Sequence, residues 1–526
     1  MLRREFLRSS GLLLGSSLTT GIIGCASEPS VNTGPVLTLQ SGQVQGQVVG
    51  GVHRFLGIPY ADMPFGDNRF RAPVARASWT GIFPADSYGF ACPQAELIQP
   101  GTPELGEDCL NLNLWTPDPA AEGLPVMVWA HGGDQDTDTG SGSLPLYDGS
   151  HFARDGVVLV TCNRRLGAEG FLYLEELMSD GVGPGNLGIL DQIEVLRWVQ
   201  ENITQFGGDP NNVTLFGQAS GGAVVQAVVA TPAAKGLFHR VIAQSASHAA
   251  QRPESANEIG RYVLDRLQVK PGDIESLKEV PWKNFTELFK DINKLGLGHP
   301  QAYLPVLGEA MPVHPADAAH SGFGLGIDYV TGTCTDEVAS FNASSGDLKG
   351  GLLSKQVEQV LAIEGVSWAT LVEAYGASRP SLTDHDLDLV IIGDIYFRTA
   401  TMRVAQGHAL RSNKCTYTYL FDWKPPPLAH ATHGLDLIMF GNGSPLVDVA
   451  DLVSLEQAAD FMRRSWVNFA KTGDPSNSAF AWPQYDAEFR RAVAINETPS
   501  ILQDPFAAQR KLLGKVMTDN WQSMGL

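Results

Sequence analysis

The sequence predicts an α/β fold, and three observations predict it. A β-branched, apolar stretch, Val213-Thr214-Leu215, enters the turn Phe216-Gly217-Gln218-Ala219-Ser220-Gly221-Gly222 and leaves it as Ala223-Val224-Val225, a strand, a sharp turn and a helix in succession. The apolar runs Val126-Met127-Val128-Trp129 and Val157-Val158-Leu159-Val160-Thr161 read as buried strands, and Thr416 to Phe421 alternates as a strand does. Helical segments such as Ala256 to Leu267 stand between them.

The turn has the G-x-S-x-G form of a nucleophile elbow, with alanine in the middle. An elbow presents its central residue at the tip, while the next residue offers a backbone N–H to an oxyanion hole. A methyl group can neither attack a carbonyl nor form an acyl-enzyme, so the covalent route is closed at Ala219. Ser220 is one residue late, and its side chain is expected to point away from the reaction centre.

Ordered matches run from about Val36 to about Asp486: Phe55-Leu56-Gly57-Ile58-Pro59-Tyr60-Ala61, Glu107-Asp108-Cys109-Leu110-Asn111, Trp129-Ala130-His131-Gly132-Gly133, Phe206-Gly207-Gly208-Asp209-Pro210 and Thr472-Gly473-Asp474-Pro475. On these the chain resembles the carboxylesterase type B (carboxylesterase/cholinesterase) family of α/β-hydrolases. The resemblance implies a large, mostly parallel central sheet flanked by helices, with a helical cap beside the pocket formed in part by about Gln251 to Ala319. It also implies the remaining triad members. Gly332-Thr333-Cys334-Thr335-Asp336-Glu337 is similar to the segment ending in the triad acid, which makes Glu337 that acid. His433-Gly434-Leu435-Asp436 is similar to the segment opening on the triad base, which makes His433 that base. The pair either survives as a buried hydrogen-bonded unit or still moves protons.

The oxyanion hole departs from the family pattern HGGGF. Here His131-Gly132-Gly133-Asp134-Gln135 is followed by about two extra residues before Gly140. Gly133 takes the first donor position, Asp134 the second and Ser220 the third. A carboxylate at 134 would repel a developing oxyanion, and losing one donor costs about 10²–10³ in rate. Gln218 replaces the family's acid before the nucleophile, Arg164 stands where tyrosine is usual, and Ala246 replaces a glycine. Clustered changes of this kind speak for natural divergence.

The N-terminus carries Arg3-Arg4-Glu5-Phe6-Leu7-Arg8, the apolar stretch Gly11 to Ile23, and Ile22-Ile23-Gly24-Cys25. These resemble a twin-arginine export signal ending in a bacterial lipobox. The expected organisation is a signal peptide over 1–24, a lipid-attached tether over 25–35 with Cys25 as the lipidated residue, and one α/β domain over 36–526. The expected location is the exported side of a bacterial cell envelope. Cys92 and Cys109 resemble the family's first disulfide, which suits an oxidising compartment. Cys162 and Cys415 read as small buried hydrophobes, and Cys334, three residues before Glu337, is not expected to serve as a substitute nucleophile because nothing places its sulfur at the elbow.

Loss of residues 1–24 takes the formal charge from −20 to −22, since three arginines and one glutamate leave with them. So acidic a chain is unsuited to nucleic acid and to electrostatic binding of anionic lipid, leaving the lipid anchor as the membrane contact. Asp134, Asp136 and Asp138 alternate like the start of a calcium loop, but the glycine is one place late and the twelfth position lacks glutamate, so no metal is expected. No dinucleotide or phosphate motif calls for a cofactor.

Three functions fit. The first is a non-catalytic protein binding an ester-like or apolar small molecule, or a protein partner, at the old pocket. The second is an ester hydrolase in which His433 and Glu337 activate water. The third is a lyase or isomerase using His433 and Asp134 as base and acid.

Overall fold

The computed structural model describes residues 31–94, 101–133, 140–247, 250–295, 303–340, 361, 365–424, 430–441 and 452–516. Residues 1–24, Cys25, Asp134, Asp136 and Asp138 lie outside them, so the export signal, the lipidation site and the acidic loop do too.

The strands are β1 (Val31–Thr38), β2 (Gln43–Val49), β3 (Val52–Pro59), β4 (Ile82–Pro84), β5 (Asn111–Thr116), β6 (Leu124–Ala130) and β7 (Val158–Cys162). They continue as β8 (Gly208–Gln218), β9 (Arg240–Gln244), β10 (Asp328–Cys334), β11 (Thr416–Phe421), β12 (Arg491–Ile495) and β13 (Ser500–Gln503). They form one sheet in the order β1-β2-β3-β5-β7-β6-β8-β9-β10-β11-β12-β13, with β4 beside β2. From β7 to β12 every neighbour is parallel, the ladders along the path at both ends are antiparallel, and β4 runs parallel to β2. This bears out the large, mostly parallel sheet.

The central strands are apolar throughout because both faces are covered. In β6, Val126, Val128 and Ala130 face one core and Met127 and Trp129 the other. The first core is closed by α1 (Leu187–Asn202), α2 (Ser220–Val229) and α3 (Pro253–Leu267). The segment read as a cap contains α3, α4 (Ile274–Glu279) and α5 (Trp282–Leu295). Helix α3 begins at Pro253, three residues ahead of the expected Ala256, because proline's fixed φ and missing N–H suit a helix's first turn. Beyond these come α6 (Trp368–Ser378), α7 (Asp384–Gly393), α8 (Thr399–Arg411), α9 (Leu452–Thr472) and α10 (Ala507–Val516).

Two expectations are corrected. Strand β1 starts at Val31 and pairs with β2 from Val31↔Val49 onward, so residues 31–35 belong to the sheet and not to the tether. Its Gly34 and Pro35 fall at a register shift on the sheet's edge, where a missing N–H is tolerated. Cys415 is only half-buried, and Gln484 Nε2 donates to its sulfur at 3.1 Å. It sits one residue before β11, packed on the edge of the second core and only partly covered.

A buried ion pair ties the sheet to the helices. The Arg165 guanidinium grips Asp191 of α1 through Nε (2.9 Å) and Nη2 (2.6 Å), and the Arg165 backbone N–H adds a third bond to the same carboxylate at 2.9 Å. Both side chains are buried. Removing one member strands the other charge, so Asp191→Ala is expected to lower the unfolding free energy by about 3–5 kcal/mol. Denaturant titration checks this, and a loss below about 1 kcal/mol, the range of an exposed pair, would refute it.

Candidate active site

Strand β8 ends and α2 begins at Ala219, which has φ 57° and ψ −124°. A positive φ is costly for any residue with a Cβ, and it persists only where the surroundings impose it. They do so here. The Ala219 N–H donates to the Gln244 carbonyl at 3.0 Å, and Ala223 N–H returns to the Ala219 carbonyl at 2.9 Å. A Cβ on Gly217 would sit 2.6 Å from the Gly221 oxygen, and one on Gly221 would run into the Ala130 carbonyl. The two flanking glycines are therefore what lets the turn close on β6.

Glu337 and His433 meet as expected. His433 Nδ1 lies 2.5 Å from Glu337 Oε2, and Glu337 Oε1 accepts the Cys334 N–H at 2.7 Å. The two loops are also stitched by backbone, His433 N–H to the Glu337 carbonyl at 3.0 Å. The neighbouring carboxylate, Asp336, is taken up by Arg379 at 2.6 Å and Lys424 at 3.4 Å. On its far side, His433 Nε2 is 3.2 Å from Gln218 Nε2. With Nδ1–H given to Glu337, Nε2 is an acceptor and the Gln218 amide is its donor. That amide holds the lone pair that a serine hydroxyl would engage in a triad.

Ser220 is turned away from the base. Its hydroxyl donates to the Gly133 carbonyl at 3.1 Å. Gly133 and Ser220 thus come together beside the elbow, while Asp134 lies outside the described residues. Behind them Arg164 Nη1 donates to the His131 carbonyl at 2.9 Å. Arg164 is buried, and among the described residues no carboxylate pairs with it. Burial, followed by the Arg164 charge, holds the His131 imidazole well below its ordinary pKa.

Cys92 and Cys109 are both buried and adjacent, with Cys92 Sγ 4.0 Å from the Cys109 carbonyl oxygen, and the structure carries them as two thiols. Burial, then the Cys92 thiol, pushes the Cys109 thiol well up. The bridge between them remains a proposal. Cys334 is fully buried with its thiol pushed well up, again chiefly by burial, which is no environment for a nucleophile.

Three neighbours of the pair escaped sequence reading. Gln218 stood out as a lost acid, but its contact with His433 follows from side-chain direction alone. The Phe397 ring packs on the His433 ring at 4.9 Å from a helical segment with no motif. Asp436 is wholly buried: Oδ2 accepts Gln244 Nε2 at 2.9 Å, whose Oε1 is fixed by Trp466 Nε1 at 2.9 Å, and Oδ1 has no partner.

Burial, with the Glu337 charge adding to it against the Gln244 bond, raises the Asp436 carboxyl to about 6. The folded value lies above the ordinary 3.8, so its stabilising contribution is present below that pH and is lost as pH rises through 6. Asp436→Asn is therefore expected to stabilise the fold by about 1–3 kcal/mol at pH 7.5, with the gain shrinking as pH falls toward 4.5. Thermal unfolding across that range checks this, and a gain independent of pH would contradict it.

The carboxylesterase family model matches residues 33–513. The para-nitrobenzyl esterase of Bacillus subtilis (strain 168) is 35% identical over 501 residues, covering 91% of this chain and 99% of that protein. The phenmedipham hydrolase of Pseudarthrobacter oxydans is 34% identical, covering 88% and 96%. Among solved structures, a PNB esterase superposes with a TM-score of 0.80 at 33% identity, and a Geobacillus stearothermophilus carboxylesterase with 0.81 at 33%. Each of the two covers 91% of this chain and 99% of its own. The chain therefore belongs to the carboxylesterase family, whose fold is the α/β-hydrolase fold.

Proposed function

We propose that this chain is a non-catalytic member of its family, a pseudo-hydrolase that binds an ester-like or apolar small molecule, or a protein partner, at the old pocket. One observation carries the reading: the elbow tip is a methyl group, and the base behind it is engaged by Gln218 at 3.2 Å. Without a nucleophile, binding and a residual oxyanion hole sustain only roughly 10³–10⁴ over water. Ser220 does not substitute, because its hydroxyl is committed to Gly133. We further propose that the chain is exported and lipid-anchored through Cys25, on the N-terminal pattern alone.

A second reading has its own support. The short His433–Glu337 contact is the orientation a general base needs, and the relatives named above are esterases or hydrolases. In that reading His433 activates a water in the space the serine hydroxyl would fill, after Gln218 gives way. A lyase or isomerase would need Asp134, and no described contact favours it.

Hydrolysis of a short-chain p-nitrophenyl ester by the full chain, beside an identically prepared His433→Ala variant, separates the two. Equal background rates are expected. A rate for the native chain about tenfold or more above the variant, the lower range for a working general base being ~10², would establish the water-activating hydrolase instead.

A further inference from the structure

On the first-core side of the sheet, a cavity of about 270 Å³ lies between strands β10, β11 and β12 and helices α8 and α10. Its lining contains none of Ala219, Glu337 or His433. It lies across the turn Asp394–Arg398 from the base: Phe397 packs on His433, whereas Arg398 lines the cavity. We propose that this cavity is a second binding site, for a small carboxylic acid with an apolar body.

Charge and hydrogen-bonding capacity select that class. In a chain of formal charge −20, three arginines line the cavity, Arg398, Arg403 and Arg510, against one carboxylate, Asp394. Arg403 is paired with Asp317 at 2.5 Å, and Arg510 is gripped by Asp504 at 2.8 and 2.7 Å. Arg398 is less satisfied. Nη2 reaches Asp394 at 3.2 Å and the Thr335 carbonyl at 3.0 Å, but Nε and Nη1 are buried without partners. Guanidinium nitrogens only donate, so the missing partner is an acceptor. Two further lining groups, Thr333 Oγ1 and Thr401 Oγ1, are also buried and unpartnered. Native interiors rarely leave several such groups together unless something fills the site.

The rest of the wall is apolar, with Met402, Leu420, Phe506 and Leu513. Phe506 is itself held at φ 59°, a left-handed conformation costly for a bulky residue, with its ring 4.4 Å from the Arg398 guanidinium carbon. A polyanion such as a phosphate ester would meet too few free cations and too much hydrocarbon. A monocarboxylate gives Arg398 its acceptor and covers the apolar wall. The cavity is far roomier than one water or ion needs and suits a small organic acid.

Calorimetric titration of the full chain with octanoate and with n-octanol tests this, repeated on Arg398→Gln, Ala492→Phe and His433→Ala. Octanoate is expected to bind about tenfold or more tightly than octanol. Arg398→Gln removes the acceptor's partner, and Ala492→Phe fills the cavity from β12; each is expected to weaken octanoate about tenfold or more. His433→Ala should change it by less than about twofold. No octanoate binding at millimolar concentration, equal binding of acid and alcohol, or undiminished binding to folded Ala492→Phe would overturn the proposal. Loss on His433→Ala alone would place the acid in the elbow pocket and overturn it equally. If Arg398→Gln does not fold, the acid–alcohol comparison and Ala492→Phe decide.

Discussion

The left-handed backbone at Ala219 is the constraint on which the site depends. It turns β8 into α2 within one residue, and the same turn sends Gln218 toward His433 and Ser220 toward Gly133. Serine is not needed to hold it. The conformation is imposed by the close approach of Gly217 and Gly221 to β6 and by the bond to Gln244 on β9. The scaffold thus keeps a strained turn with a methyl side chain at its tip.

The retained base and acid are best understood in the same terms. Glu337 and His433 are joined by side chains and by backbone, and the histidine is packed under Phe397 and bonded by Gln218. Deleting either would leave a buried polar group unpaired, at a cost of about 1–3 kcal/mol or more. Stability alone is therefore enough to keep the pair together. The loop after His433 adds to this, since Phe440 packs against Trp129 of β6 at 5.1 Å and docks the histidine segment on the second core.

Much of this was legible in the residues. The unbroken apolar run of β6 announces a strand covered on both faces, and the glycines around Ala219 announce the elbow, because each pattern has one structural use. The edge strand was not legible. Val31 to Thr38 carries glycine and proline, and only its pairing with β2 makes it a strand. The contacts of Gln218, Phe397 and Asp436 were hidden for a related reason, since each joins residues far apart in the chain: Gln218 to His433, Phe397 to His433 and Asp436 to Gln244. The arginine-lined cavity under α8 and α10 is assembled from β10, β11, β12 and two helices far apart in the chain and has no motif at all.

The central claim is that nothing at the elbow can act as a nucleophile. Intact-mass analysis after treatment with an alkyl fluorophosphonate, which phosphonylates activated serines, tests it most directly, with Ala219→Ser as the positive control. The account predicts an unchanged mass for the native chain and one phosphonyl adduct on the hydroxyl introduced at the elbow tip of the control variant. An adduct on Ser220 of the native chain would contradict it.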